Sequence, residues 1–505
     1  MKRLPIGIQT LRKIIEGDYI YIDKTKHALE LIDRYQYVFL SRPRRFGKSL
    51  FIDTLYEIFT GNKELFKGLY IYDKYDFEPY PVIRIDWSGN FSTQESTEIV
   101  AKSIMDRNQE LLGIECSSTD AGVCLGELIF NAYKKYGKPV VVLIDEYDKP
   151  ILDNIADVKE AEKRRNFLRG LYVHLKANDA YIRFVMLTGI SKFSKASIFS
   201  GLNNLEDITL NPNFATICGY TQNDLETVFA EALKGADMDK VREWYNGYNF
   251  LGEHVYNPFD ILLFIRNQFS FKPYWWESGT PFSLIELLKT RHYYLPDLEH
   301  LRIDETILSS FDIEDLQIEP LLFQAGYLTI DKVLEYEYTE VKEYLLRVPN
   351  KEVQISLNKL FFKYLTGEMY RIDTQLLKDL WHGQPGTLKT SLQRLFASIP
   401  YNNYVNNTIS IYEGYYASVV YAYLASLGFR LIAEDVTDRG RVDLTIFAGK
   451  NIYIIEFKVG GDDALQQIKQ KRYWEKYTGQ GNIFIVGINF DDNERNISKF
   501  EWEKL

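Results

Sequence analysis

Cysteine is scarce: Cys116, Cys124 and Cys218 are the only three in a chain of 505 residues. So few argue against a disulfide framework and suit a reducing cytoplasm. Their positions match no zinc pattern, and the six histidines are scattered without metal-ligand spacing, which speaks against a histidine metal site. No stretch approaches the ~20 consecutive apolar residues of a membrane helix. The start, Met1-Lys2-Arg3-Leu4-Pro5, opens no apolar run of the signal-peptide kind, so no membrane association is expected. Excess positive charge is absent too. Sixty basic and 70 acidic side chains leave a net charge of −10, so any nucleic-acid surface has to be a local patch.

What is present is an ordinary globular composition, 46% hydrophobic and 26% charged, in a chain too long for one core. Three regions follow. Residues 1–235 alternate strands and helices, the pattern of an α/β, mainly parallel sheet. The apolar runs at 37–42, 82–88, 139–145 and 182–189 read as strands, and one such as Val140-Val141-Val142-Leu143-Ile144 requires cover on both faces. Residues 236–375 are helical and aromatic, with a helix and a hairpin at 320–353; a winged-helix-like module and a helical lid both fit. Large aromatics such as Tyr245, Tyr248, Trp275 and Trp276 read as core. Gly383, Pro385 and Gly386 mark a linker, and residues 385–505 return to α/β, with a helix at 413–428 and strands around "RVDLTIF", "IYIIEFKV" and "NIFIVGIN".

Two constellations carry chemistry. "SRPRRFGKSL" follows the first strand and opens a helix. It ends as a phosphate-binding loop does, in Gly47-Lys48-Ser49, but Arg42 stands where the first glycine is usual. Backbone N–H groups at a helix start cradle phosphates. Lys48 would reach the β/γ-phosphates and Ser49 would ligate Mg²⁺, with Arg44 and Arg45 as further cationic donors. In "VVVLIDEYDKP", Asp145 at a strand tip would hold Mg²⁺ and Glu146 orient the attacking water. Thr188, ending another strand, occupies a γ-phosphate-sensing position, with Ser191 just beyond. The loop is therefore expected to bind ATP.

The second is Asp443-x(12)-Glu456-x-Lys458 across two strands joined by a short turn. Residues two apart in a strand share a face, so Glu456 and Lys458 point together and a hairpin brings Asp443 beside them. Two carboxylates and a lysine make a compact Mg²⁺ site, open to Mn²⁺, suited to phosphodiester cleavage. Glu413 on the preceding helix is a candidate extra ligand, and Gln467 with Tyr473 on the following helix forms a Q-x(5)-Y pattern.

With "LPIGIQTLRKIIEGDYIYIDKT", "SRPRRFGKSL", "LIDEYDKP", "LTGISKFSK", "WYNGYNF…VYNPFD", "WESGTP" and "RVDLTI…IIEFKV", the chain resembles a bacterial family joining an AAA-ATPase-like domain to a C-terminal PD-(D/E)XK nuclease domain. The loop starting with Arg42 is that family's usual form. The resemblance implies a P-loop fold followed by a nuclease fold, ATP at Gly47, Lys48, Ser49 and Asp145, and a nuclease core at Asp443, Glu456 and Lys458. The expected activity is an ATP-regulated, Mg²⁺-dependent nuclease acting on nucleic acid, DNA rather than RNA, in a cytoplasmic protein that can form a homo-oligomer. The alternative is a switch ATPase whose C-terminal fold binds nucleic acid or protein without cutting.

Overall fold

The computed structural model describes residues 2–89, 91, 94–155, 157–193, 202, 204–278, 301–304, 308, 318–336, 342–366, 373–399, 413–460, 463–491 and 494–505. Two compact units emerge, one from residues 1–284 and 302–350, the other containing residues 351–505. Three regions are legible by composition, but the middle segment forms no compact unit of its own. Ile20 and Ile22 share one core with Leu225, Phe229, Tyr245, Tyr256, Ile261 and Phe264, so residues 236–278 fold onto the N-terminal segment, and residues 302–350 belong to the same unit.

The first unit is built on a parallel sheet in the order β2-β3-β4-β1-β5: β1 Tyr37–Ser41, β2 Val82–Asp86, β3 Val140–Asp145, β4 Ile182–Gly189 and β5 Glu206–Asp207. All residues of β1 and β3 are buried, which explains why Tyr37–Leu40 and Val140–Ile144 are continuously apolar instead of alternating. The registers Ser41↔Gly189 and Asp86↔Asp145 align the C-terminal strand ends, the edge where open α/β sheets bind ligands. The helix Lys48–Phe59 leaves β1 there. Its buried carboxylates anchor the chain start: Asp53 accepts from the Leu11 backbone N–H at 2.7 Å and pairs with Arg84 at 2.9 Å, and Glu57 pairs with Arg12.

The helix-then-hairpin expected beyond residue 320 is present as the helix Ile318–Ala325 and strands β7 Thr329–Glu335 and β8 Lys342–Arg347; β6 Arg302–Asp304 adds a third strand on β8. Tyr245, Tyr248 and Trp275 are buried. The cysteines depart from expectation. Cys116 and Cys124 form a disulfide, and Cys218 is a buried thiol. The connection before the helix Ala121–Tyr136 folds back through Cys116 N–H to Gln109 and Ser117 N–H to Glu127. This brings the two Cα atoms to 5.3 Å, a proximity that a spacing of eight does not reveal. No helix among the described residues is long and apolar enough to cross a membrane.

The second unit is a mixed sheet ordered β13-β12-β11-β10-β9: β9 Arg430–Thr437, β10 Gly440–Ala448, β11 Asn451–Val459, β12 Asn482–Asp491 and β13 Asn496–Lys504. Only β11 and β12 pair in parallel, which requires a crossover, supplied by the helix Ala464–Lys471. It covers the face carrying Ile452 and Ile454 with Leu465 and Ile468. The helix Glu413–Ser426 covers the other face, where Tyr416 stacks on Phe490 at 4.3 Å and Phe490 meets Phe457 at 6.1 Å. The glycine-proline cluster near 385 is the turn between helices Thr374–Trp381 and Gly386–Ser398 within this unit.

Candidate functional sites

In the first unit the residues between β1 and the helix Lys48–Phe59 form a concave loop. Gly47 adopts φ +99°, a left-handed conformation that L side chains rarely adopt, although a Cβ there would meet nothing within 4 Å. Glycine is needed for the turn, not for space. Three of the loop carbonyls are taken up in hydrogen bonds. Those of Arg42 and Pro43 accept from Lys48 Nζ at 2.9 and 3.1 Å, and that of Phe46 accepts from the Gly219 N–H at 3.1 Å. The Gly47, Lys48 and Ser49 N–H groups find no protein acceptor among the described residues. These donors at a helix start are what an anion needs. Lys48 is buried; desolvation lowers its pKa, and Asp145 opposes this. Ser49 is half-buried in the first helical turn.

Arg42 is fully buried and makes the loop in a way glycine could not. Its guanidinium donates to the carbonyls of Ser41 and Thr209 at 2.8 Å and of Phe214 at 3.0 Å, and lies 3.9 Å from the Phe250 ring centroid. Arg42→Gly would restore the usual loop consensus yet is expected to destabilise the unit by about 3 kcal/mol or more, as several charge-assisted bonds are lost. A thermal melt checks this, and an unchanged melting temperature would refute it. Arg44 and Arg45 sit over aromatic rings, Trp275 at 5.1 Å and Phe259 at 5.0 Å.

Asp145 lies at the end of β3, one strand beyond β4. Its Oδ1 accepts from the Thr188 hydroxyl at 2.5 Å, joining two of the nominated residues across neighbouring strands. Glu146 follows at φ +52°, an uncommon conformation for a residue with a side chain. Burial raises its carboxyl pKa and Asp145 adds to this, while Lys48 opposes it. Ser191 turns instead to Asp148, whose Oδ2 accepts from the Ile190 and Ser191 N–H groups at 2.9 and 2.6 Å and from the Ser191 hydroxyl at 2.7 Å. Asp148 was legible in "DEYDKP" as a carboxylate, but its grip on the end of β4 was not. A cleft beside Gly47 and Leu50 is lined by Tyr21, Ile22, Lys24 and Tyr220.

In the second unit Asp443 on β10 comes beside Glu456 on β11 by strand register. The pairing Leu444↔Ile455, carried one step further, sets Asp443 opposite Glu456, and opposed residues share a face. There Asp443 Oδ2 accepts from the Phe457 N–H at 2.7 Å. Glu456 is 1% exposed. Its Oε1 accepts from Lys458 Nζ at 3.3 Å and from the Gln467 amide, while its Oε2 is buried without a hydrogen-bond partner. Its carboxyl is pushed up to about 7, first by burial and then by Asp443, against the pull of Lys458. A buried carboxylate oxygen lacking a donor is costly, and a cation would satisfy it. The residues therefore fit a divalent metal, with Asp443 and Glu456 to hold it.

Gln467 and Tyr473 do not share one helix. Arg472, at φ +53°, ends the helix Ala464–Lys471, and Tyr473 begins a 3₁₀ turn, Tyr473–Tyr477. Tyr473 is buried, and Gln467, whose amide donates to Glu456, opposes the rise that burial gives the tyrosine's pKa. Glu413 is the first residue of the helix Glu413–Ser426, on the sheet face opposite Glu456; its side chain lies outside the described residues.

A phosphate-loop parallel sheet followed by a mixed sheet bearing Asp-…-Glu-x-Lys defines a fused ATPase-like and nuclease-like class. Residues 5–199 match the family model for a "Predicted AAA-ATPase" and residues 411–500 that for the "PD-(D/E)XK nuclease superfamily". A protein of Azotobacter chroococcum mcd 1, called "Uncharacterized protein in vnfD 5'region", is 46% identical over 523 residues, covering 100% of this chain and 99% of its own length. The chain belongs to the family that joins a predicted AAA-ATPase domain to a C-terminal PD-(D/E)XK nuclease-superfamily domain.

Proposed function

We propose that the protein is an ATP-regulated, metal-dependent nuclease. The observation that carries the cleaving half is the buried, partnerless Oε2 of Glu456 beside Asp443 and Lys458. Asp443 and Glu456 would hold Mg²⁺ or Mn²⁺, which when bound supplies an acidified water and offsets charge on the phosphate. Lys458 presents an ammonium group where the scissile phosphate gathers charge, and Gln467 fixes the Glu456 carboxyl. In the first unit Gly47, Lys48 and Ser49 would cradle the triphosphate of ATP, Arg44 and Arg45 standing at its rim. Asp145 with Ser49 would hold its Mg²⁺, Glu146 would orient water, and Thr188 would sense the γ-phosphate through Asp145. The adenine would enter the cleft at Tyr21 and Ile22. DNA is the favoured substrate, and the protein would act in the cytoplasm as a homo-oligomer.

Cleavage of labelled single- and double-stranded DNA and RNA, with Mg²⁺ or Mn²⁺ and with or without ATP, tests this reading. Metal-dependent cutting that responds to ATP supports it. ATP binding with no cutting under any condition would replace it with the switch ATPase.

The carboxyl of Glu456 also sets a pH dependence. Its folded pKa, about 7, stands above the ordinary carboxylate value of 4.5. Its contribution to stability is therefore full below pH 4.5 and is lost as pH rises through 7. Metal binding needs the ionised form, so Mg²⁺ affinity should fall about tenfold per pH unit below this pKa and level off above it. Calorimetric titration between pH 5.5 and 8.5 checks this, and a flat profile would contradict it.

A further inference from the structure

We infer that Trp275 and Asn257, more than two hundred residues beyond the phosphate loop, are positioning residues for that loop, so that the middle segment sets its affinity for triphosphate. The inference rests on the reading of the loop as an ATP site and adds the parts that shape it. A phosphate cradle works only if its N–H groups converge, so its carbonyls must be held outward by donors elsewhere. Lys48 holds those of Arg42 and Pro43, and Gly219 that of Phe46. The Arg44 carbonyl, at the crest of the turn, is held from the middle segment. Trp275 Nε1–H donates to it at 3.2 Å and Asn257 Nδ2 reaches it at 3.5 Å.

The same segment contacts each residue from 42 to 46. Arg42 lies against Phe250, Pro43 against Gly326, Arg44 over Trp275, Arg45 over Phe259, and Phe46 edge-on to Tyr248 at 4.8 Å. Gly326 is at φ +90°, and a Cβ there would come within 2.7 Å of the Pro43 ring. Trp275 is itself fixed. It is fully buried, its N–H donates to Asp260 Oδ1 at 2.7 Å, and its ring packs on Tyr327 at 5.4 Å. Asn257 caps the helix Pro258–Arg266 by accepting from the Phe259 N–H at 2.9 Å. The tryptophan is therefore a rigid donor, its indole nitrogen bonded to a loop carbonyl that neither the loop nor its helix satisfies.

Two conservative variants separate this role from packing. Trp275→Phe keeps a ring beneath Arg44 and removes the N–H; Asn257→Ser keeps a helix cap and removes the amide donor. ATP and AMP dissociation constants are measured on the full chain, with a thermal melt of each variant. AMP lacks the β- and γ-phosphates and so depends little on the cradle. Trp275→Phe is expected to weaken ATP about five- to tenfold, the scale of one hydrogen bond, and Asn257→Ser about twofold to threefold, with AMP unchanged. Equal losses for ATP and AMP, or wild-type ATP affinity in both variants, would overturn the inference and leave the ATP site standing. If the wild type binds no ATP, the site reading falls and this inference with it.

Discussion

Lys458→Ala is expected to lower metal-dependent cleavage by a factor on the order of 10³, the usual scale for removing a positioned charge stabiliser, while ATP binding stays at the wild-type level. Two effects act together. The ammonium group 3.3 Å from Glu456 Oε1 would no longer offset charge on the phosphate. Its pull on the neighbouring carboxyl would also go, and because Lys458 opposes the upward shift of Glu456, that group would hold its proton to still higher pH and bind metal less well. The loss should therefore be partly recovered at pH 9, where Glu456 ionises regardless. Lys458→Arg should recover less than its charge suggests, since guanidinium and ammonium differ in shape and hydration. Rates on a labelled duplex, at pH 7 and pH 9, measure both parts. Wild-type cleavage by Lys458→Ala would remove the nuclease assignment.

Lys48→Ala should weaken ATP binding by at least about a hundredfold, because a charge-assisted phosphate contact and the geometry of the loop are lost together. Lys48 Nζ satisfies the carbonyls of both Arg42 and Pro43. With alanine these carbonyls lose their donor, and the turn that converges the Gly47 and Ser49 N–H groups loses one of its ties. A fall in melting temperature should accompany the loss of affinity. Cleavage by Lys48→Ala should persist but no longer respond to ATP. Calorimetric binding together with the cleavage assay decides it. Retained ATP affinity would refute the site, and retained ATP response without measurable affinity would place regulation elsewhere in the chain.

The parts read correctly from sequence are those whose cause is local. Strands β1, β3 and β4 stood out because a strand covered on both faces must be largely apolar, and Tyr37–Leu40, Val140–Ile144 and Phe184–Leu187 are continuous apolar runs. The placement of Gly47-Lys48-Ser49 between a strand and a helix depends on neighbours in sequence. So does the convergence of Asp443, Glu456 and Lys458, since a tight hairpin leaves little freedom of register. The helix-and-hairpin after residue 320 was legible for the same reason.

What the tertiary structure decided was the identity of distant partners. Arginines beside a phosphate loop suggest phosphate ligands, yet Arg42 is a buried tie to Thr209 and Phe214, and Arg44 lies over Trp275, 231 residues away. A glutamine and a tyrosine six apart suggest one helix, but the left-handed Arg472 turns the chain between them. The grouping of residues 236–284 and 302–350 with the first unit, the Cys116–Cys124 disulfide and the burial of Glu456 Oε2 likewise depend on which surfaces meet. Sequence alone determined the two residue constellations and the strands that bear them, because hydrophobic period and turn geometry act over a few residues. Only the fold decided which side chains shape each site, because those contacts follow from packing between segments far apart in the chain.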